Sequence, residues 1–577
     1  MTLSFKVVLI GALLAIVMGA TNVYLGLKVG MTVSASIPSA VLALVVLRIL
    51  RQENKHATNL IQTASSAGES LAAGFIFTIP ALLILGIRSD VSYWESVCLL
   101  ALGGSLGVVF SVPLRKQFVV KENLGFPEGR ATAKIIQNSS GSSALPLLAG
   151  AALGAVSKVF SSFLNLIHET LEFVFVAFGK TFYLGSSISP ALLGIGFIVG
   201  PAVAIAMTLG GFVTWGVLIP LESGSNLSVS DFYSIWSSEL RHVGVGAMLV
   251  GGLWTLFIRK EALLTGILEA LKARSDERSG LLNVVVFASV FLGSSCLVYA
   301  QTNNLGLSLV SLVLIIIFTY VFSLVSGYLS GLVGSSNNPV SGLTIATVFF
   351  SGLLFYAFSL SFLEAAVLIV FIAAFVCSAA AIAGDTLQDL KAGEMLQTDP
   401  RAQQSMQLVG VVASAFILPS ILNFLSASHK IGSRDLVAPQ ASLIASMISA
   451  VFENKMPWRF IIIGAGLTAF VIFLDSVLKK RGYSLPAMAF AVGLYLPLSL
   501  SVPIMMGAFL RLLSQKTSSG VLFSSGLITG EAILGLVLVA FMGFERSPNL
   551  IFSLVFFALL LVCLRVSSRY QTWQNSA

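Results

Sequence analysis

Charged residues are scarce in this chain. Asp, Glu, Lys and Arg make up 10% of its 577 residues, against about 25% in soluble domains. A soluble fold of this size could not cover its surface with so few. The phosphate-cradling pattern GxxxxGK[ST] is absent, and no interval between apolar runs has room for a nucleotide-binding domain. Both features argue against an ATP-driven pump contained in one chain. Cysteine is equally sparse. Cys98, Cys296, Cys377 and Cys563 lie inside apolar runs with no CxxC pair, which is the pattern of small buried hydrophobes. The four histidines (His56, His168, His242 and His429) are scattered, and there is no HExxH. These absences argue against a metal centre, call for no cofactor, and leave a membrane enzyme acting on lipid intermediates as the weakest reading.

What remains is grease and glycine. Hydrophobic residues make up 56% of the chain, and the mean hydropathy is +0.95. Runs such as VVLIGALLAIVMGA, AAVLIVFIAAFVCSAAA and LIFSLVFFALLLVCL approach the roughly 20 apolar residues that cross a bilayer. A transmembrane barrel would instead alternate over segments of about 10 residues. The 51 glycines suit helices that approach closely in lipid. The composition predicts an all-α polytopic membrane protein. The net charge of +8 sits mostly in short loops, where it carries topology rather than a nucleic-acid footprint.

The pattern places about 16 membrane elements. The first series lies near residues 5–27, 31–50, 63–86, 93–113, 145–166, 188–221, 240–258 and 281–300. The second lies near 308–332, 340–360, 364–383, 404–424, 459–478, 484–514, 519–541 and 549–566. The elements 188–221 and 484–514 are long for one crossing and rich in Pro and Gly, as a kinked helix or a hairpin would be. The two series resemble each other. YLGLKVG (24–30) pairs with YLSGLVG (328–334), AGESL (67–71) with AGDTL (383–387), and FPEGRATAKII (126–136) with APQASLIASMI (438–448). Pro190 and Pro201 pair with Pro486 and Pro497. The offsets are 304, 316, 312 and 296, in order along the chain. This predicts an internal duplication, with a first repeat over 1–280 and a second over 281–577. The distribution of Lys and Arg among loops favours inverted over parallel repeats.

Carboxylates written into apolar surroundings are the candidate chemistry, because a charge at membrane depth costs about 3 kcal/mol or more unless it faces a cavity or a partner. Glu69 sits among small residues in SSAGESLAAG. Asp385 and Asp389 are four apart and share a helix face. Lys391 is close enough in sequence to neutralise one of them. The three acids are candidate proton-coupling residues, and the competing reading of Gly384-Asp385-Thr386 is a helix cap in water. KENLGFPEGRATAKIIQ (121–137) is too short and too charged to cross. It reads as a re-entrant segment near 124–140 that opens a short helix, with a counterpart near 436–452, or else as a basic loop. Glu128 lies in the first copy where Gln440 lies in the second, an asymmetry suited to binding a cation or an amine. GLVGSSNNPVSGLTIAT (331–347) is a broken stretch. There Asn337 and Asn338 offer donors and acceptors to peptide-like groups, or form a surface turn. Lys28 either snorkels to the interface or faces the pathway. Tyr24 and Tyr328 occupy matched places, framing one cavity or packing as ordinary aromatics.

YLGLKVGMTVSASIPSAV, LGFPEGRATAKII, GSSNNPVSGLTIAT and AGDTLQDLKAGEMLQTDPRAQQ resemble the signatures of prokaryotic members of the oligopeptide transporter superfamily, which includes peptide carriers and the plant yellow stripe-like carriers. The resemblance covers nearly the whole chain. It implies about 16 helices in two pseudo-symmetric repeats with re-entrant or broken helices. It also implies proton-coupled secondary transport of short peptides or peptide-like metal chelates. The motif of the eukaryotic peptide branch, Asn-Pro-Gly, reads Asn338-Pro339-Val340 here. The expected partners are a peptide or metal-chelate substrate, protons and the lipid bilayer, with no nucleic acid; a homodimer is allowed. The expected location is a bacterial inner membrane. The alternative is a channel or a carrier for another small polar solute.

Overall fold

The computed structural model describes residues 4–30, 32, 34–52, 54–137, 144–222, 227–258, 281–335, 338, 340–433, 436–453, 458–514, 517–539 and 550–567. The chain opens with α1 (Phe5–Val29), α2 (Ser36–Ile49), α3 (Lys55–Thr78), α4 (Pro80–Ile84), α5 (Tyr93–Leu114) and α6 (Pro127–Gln137). Next come α7 (Ala144–Lys158), strands β1 (Thr170–Ala177) and β2 (Lys180–Ser187), α8 (Pro190–Val199) and α9 (Pro201–Phe212). They are followed by α10 (Ile219–Glu222), α11 (Val229–Ile235) and α12 (Arg241–Ile258). The next group is α13 (Leu281–Thr302), α14 (Leu305–Val333), α15 (Val340–Ala357), α16 (Phe362–Leu396), α17 (Pro400–Ser428) and α18 (Pro439–Glu453). Last come α19 (Trp458–Lys479), α20 (Ala487–Tyr495), α21 (Leu498–Leu512), α22 (Thr517–Val539) and α23 (Leu550–Ser567).

Among the described residues nine helices are long and apolar enough to cross a membrane, and seven further apolar helices have 10–17 residues. The chain is an all-α polytopic membrane protein. One element departs from helix. β1 and β2 form an antiparallel hairpin whose loop, Phe178-Gly179, has positive φ at both residues, as the favoured two-residue hairpin turn requires. The β-branched and aromatic run TLEFVFVA carries the strand signal.

The helices divide into two compact units, each drawing on both halves of the sequence. The first comprises Met1–Ser140, Gly252–Gly432 and Gln440–Met456; the second comprises Gly141–Gly251, Ser433–Pro439 and Pro457–Ala577.

The second unit packs with matched close contacts at a constant sequence offset. The stretch 188–221 breaks at Gly200 (φ 84°) before Pro201, and 484–514 breaks at Pro497. α8 then packs on α21, while α9 packs on α20. A Cβ at Gly196 would lie 1.9 Å from the Ile504 carbonyl oxygen, and one at Gly493 would lie 2.0 Å from that of Met207. Gly493 follows Gly196 by 297 residues, and Ile504 follows Met207 by the same 297. Gly210 against Phe490 and Gly507 against Leu193 repeat the relation at that offset. The same exchange relates α7 on α22 to α12 on α19, through Gly150 against Phe523 and Gly464 against Val243. Thus α7, α8, α9 and α12 correspond to α19, α20, α21 and α22. The α8 half-helix is held at both ends. At its N-terminus the buried Glu531 accepts from Ser189 Oγ (2.8 Å) and the Ala191 N–H (2.8 Å). At its C-terminus Arg511 donates to the Phe197 carbonyl (3.1 Å). These charges complement the helix dipole at each end.

The core of the first unit is the antiparallel pair α3 and α16. Asn54 caps α3 by accepting from the His56 and Ala57 N–H groups. Ser361 caps α16 in the same way through Glu364. Every residue from Ala57 to Thr78 is buried. Small residues allow this, since a Cβ at Gly68 would lie 2.5 Å from the Ala15 carbonyl oxygen. α16 spans 35 residues and ends only at Gln397 (φ 58°). The cap reading of Gly384-Asp385-Thr386 is therefore overturned. The helix already runs for more than twenty residues before Asp385, and Asp385 is buried, so it neither begins a helix nor lies in water.

Candidate functional site: a carboxylate seam between α3 and α16

α3 and α16 meet through polar rungs. Gln62 Nε2 donates to Asp389 Oδ1 (2.5 Å), and one turn later Ser66 Oγ donates to Asp385 Oδ2. Gln62 and Ser66 are four apart on α3, as Asp385 and Asp389 are on α16, so two faces with the same period meet in register. Further along, Gly74 and Ser378 are in backbone contact. The other oxygen of each aspartate, Asp385 Oδ1 and Asp389 Oδ2, is buried and has no hydrogen-bond partner of normal geometry among the described residues, although the Ser70 and Ser335 hydroxyls lie near Asp385. Glu69 lies one turn beyond Ser66. It accepts from Asn22 Nδ2 on α1 and from the Ala35 N–H (3.2 Å) at the start of α2. All three carboxylates are at least 96% buried. None has a Lys or Arg partner among the described residues. Glu69, Asp385 and Glu128 lie close enough to repel one another.

Lys391 does not neutralise either aspartate. Its Nζ lies 2.5 Å from Glu394 Oε2 and donates to Asn123 Oδ1 (2.7 Å). Lys391 is six residues from Asp385 and two from Asp389, and on a helix neither spacing brings it to the face the aspartates share.

Glu128 is the second residue of α6, whose 11 residues rise about 16 Å, half a bilayer core. Phe126, just before Pro127, has positive φ, as does Ala438 before Pro439 in the matching helix α18. The two short helices thus begin alike. Ser335 Oγ donates to Glu128 Oε2. The α14 helix stops at Gly334 (φ 90°), where a Cβ would lie 2.8 Å from Glu128 Oε1; glycine is needed there for both reasons. Asn338 Nδ2 donates to Ser326 Oγ (2.5 Å). A Cβ at Gly384 would lie 2.6 Å from that same nitrogen, so Asn338 sits on α16 beside Asp385. Glu69, Glu128, Asn338, Asp385 and Asp389 are thereby gathered around one helix.

The other sequence-derived candidates are placed differently. Tyr24 is buried, with Lys28 Nζ 5.6 Å from its ring centroid, on the last turns of α1. Tyr328 packs against Phe118 (5.4 Å between ring centroids) within an apolar cluster that includes Leu324 and Leu387. Gln440 is buried in the first turn of α18. Asn337 lies outside the described residues.

Asn22, Gln62, Ser66, Ser335 and Gln388 complete the seam and were missed by the sequence reading. The signal was present. Asn59, Gln62, Ser66 and Glu69 recur at spacings of three and four in a segment too polar to be lipid-facing. Chemically, the seam offers carboxylate oxygens with open acceptor positions and, among the described residues, no fixed cation. Such a group can take up and release a proton or a cation, and each exchange changes the local charge.

The sequence matches the profile of the family described as OPT oligopeptide transporter protein over residues 2–542. A Haemophilus influenzae protein named "Putative oligopeptide transporter" is 31% identical, covering 89% of this chain and 92% of its own. The rice protein named "Probable metal-nicotianamine transporter YSL5" is 26% identical over 84% of this chain and 82% of its own. The metal-nicotianamine transporter YSL3 of Arabidopsis thaliana is 21% identical over 92% and 90%. Relatives covering most of the chain are thus named as transporters rather than enzymes, and the chain belongs to the OPT oligopeptide transporter family.

Proposed function

We propose that the protein is a proton-coupled secondary transporter that imports small peptides or peptide-like metal chelates across a bacterial inner membrane. The observation that carries this reading is the α3–α16 seam. Three buried carboxylates, Glu69, Asp385 and Asp389, have no basic partner among the described residues, and two of their oxygens are unpartnered. Buried charge without compensation is costly, so these groups are suited to hold protons in one state and lose them in another. Protonation from outside would relieve the repulsion among Glu69, Asp385 and Glu128 and bias the inward-open state.

Cargo recognition falls to Glu128, Asn338, Gln440, Tyr24, Lys28 and Tyr328, with Asn337 added from the sequence. A carboxylate suits an amine or a chelated cation, and the amides suit peptide groups. The names of the relatives supply the two cargo classes, oligopeptides and metal–nicotianamine. The duplication boundary near residue 280 belongs to the same proposal.

The test is proton flux into proteoliposomes holding a pH dye. They would be challenged with di- to hexapeptides and with iron–nicotianamine, with and without an inside-negative potential. Cargo-triggered acidification of the lumen supports the symporter, and the panel separates peptide from chelate. Cargo uptake with no acidification would refute proton coupling.

A further inference from the structure

α16 has a second polar face, and one side chain on it touches two further helices. Gln388 is fully buried, between Asp385 and Asp389 in sequence. Its Oε1 accepts from the Gly129 N–H in the first turn of α6 (2.9 Å). Its Nε2 donates to the Ser330 carbonyl on α14 (2.7 Å) and to Ser330 Oγ (3.0 Å). Ser330 Oγ in turn donates to the Gly384 carbonyl (2.8 Å), one residue before Asp385. The α6 contact is close, since a Cβ at Gly129 would lie 2.1 Å from the Gln388 carbonyl oxygen. Gly129 is the neighbour of Glu128.

We propose that Gln388 is a positioning residue that transmits the state of the Asp385–Asp389 face to Glu128. This rests on the reading that the aspartates exchange protons and that Glu128 meets cargo. One rigid helix carries both faces, so a change in how Asp385 sits on α3 moves Gln388 with it. Gln388 holds the α6 backbone directly and anchors it to α14 at Ser330. No other side chain among the described residues hydrogen-bonds the Gly129 N–H. Glu69 on α3 and Glu128 on α6 are the charged groups facing Asp385 from the packed elements, and both stay intact in the test.

The test is a double-mutant cycle on the full chain in nanodiscs, read by hydrogen exchange over residues 127–137. Asp385→Asn stands in for the protonated aspartate. With Gln388 present, this substitution should change α6 exchange by about tenfold, within the range of local opening equilibria. With Gln388→Ala, α6 should exchange faster at the outset and no longer respond to Asp385→Asn. Gln388→Glu serves if the alanine variant does not fold. It keeps the acceptor for Gly129, and its donor to Ser330 only while it carries a proton. Its α6 exchange should therefore be near wild type at pH 5.5 and faster than wild type at pH 7.5. An α6 response to Asp385→Asn that is absent in the wild type, or equal with and without Gln388, overturns the proposal. So does a Gln388→Glu variant with no pH-dependent departure from wild type. In proteoliposomes, Gln388→Ala should raise KM for tri-alanine or iron–nicotianamine about fivefold, the worth of one buried hydrogen bond, and flatten its pH dependence. The exchange result needs no cargo, so a failed Gln388 linkage and a failed transport reading give different outcomes: the first in hydrogen exchange, the second as silence in the flux assay.

Discussion

Asp385→Asn is the substitution whose outcome the seam predicts most sharply. Asn has the shape of Asp, and its Oδ1 can still accept from Ser66 Oγ, the hydrogen bond that ties Asp385 to α3. The unpartnered oxygen, Asp385 Oδ1, is the position that changes, because an amide cannot take up a proton there. The fold should therefore survive with a loss of about 1 kcal/mol, the scale of one altered hydrogen bond. The coupling should not. If Asp385 carries one proton per cycle, each pH unit across the membrane contributes about 1.4 kcal/mol to accumulation through it. Removing it lowers the steady-state ratio of inside to outside cargo about tenfold at a gradient of one unit. The assay is accumulation of labelled tri-alanine or iron–nicotianamine in proteoliposomes with an imposed pH gradient, with counterflow exchange as the control for intact binding. Accumulation unchanged from wild type, with exchange also unchanged, would refute the assignment of a proton to Asp385.

Four further outcomes follow from the geometry. Glu69→Gln should fold and should alter pH dependence less than Asp385→Asn, because both Glu69 oxygens already accept a hydrogen bond; paired accumulation curves decide this. Glu531→Ala leaves Ser189 Oγ and the Ala191 N–H without their acceptor. It should cost about 3–5 kcal/mol by thermal denaturation in detergent, with Glu531→Gln milder because one acceptor remains. Gly196→Ala and Gly493→Ala face the same clash on matched helices, at 1.9 and 2.0 Å. Each should cost about 1–3 kcal/mol or more, and by similar amounts; unequal melting shifts would count against the internal symmetry of the second unit. Tyr183 and Tyr233 both donate to Glu172, at 2.8 and 2.9 Å. Burial, then Tyr233 and Glu172, push the Tyr183 phenol up, so it stays a donor throughout the working pH range. Tyr183→Phe should loosen the hairpin by about 1–2 kcal/mol, read as faster hydrogen exchange over residues 170–187.

Much of this was legible in the sequence because lipid simplifies the problem. Backbone groups in hydrocarbon must bond within a segment, so long apolar runs could only be helices. The breaks at Pro201 and Pro497 followed from proline's missing donor. The short motifs read as repeats mark features with backbone constraints, such as the positive φ before Pro127 and Pro439. Less legible was anything set by a partner distant in sequence. α3 reads as only weakly apolar, and nothing local shows that Gln62 and Ser66 meet Asp389 and Asp385 more than three hundred residues away. Lys391 looked like a counter-ion by sequence proximity, yet its amine reaches Glu394 and Asn123. The hairpin was hidden by the same apolar composition that made the helices plain.

Under the proposed duplication, the two acid-bearing motifs sit in different surroundings. Glu69 and Asp385 follow the same Ala-Gly pair in AGESL and AGDTL, and both lie in the long buried helices of the first unit. Their surroundings differ. Glu69 is one methylene longer and reaches both Asn22 on α1 and the Ala35 N–H at the start of α2. Each of its oxygens is satisfied, and the α2 N-terminus adds favourable partial charge. Asp385 is shorter, accepts a hydroxyl from Ser66 and leaves its other oxygen open. Hydrogen bonds to both oxygens fix the orientation of the Glu69 carboxylate, whereas an open oxygen leaves a position where a proton can bind. Asp389 repeats the open pattern one turn on, with Gln62 on one oxygen and nothing among the described residues on the other. Glu69 thus ties α1, α2 and α3 together, while Asp385 and Asp389 keep two oxygens free on the helix that also holds Gln388.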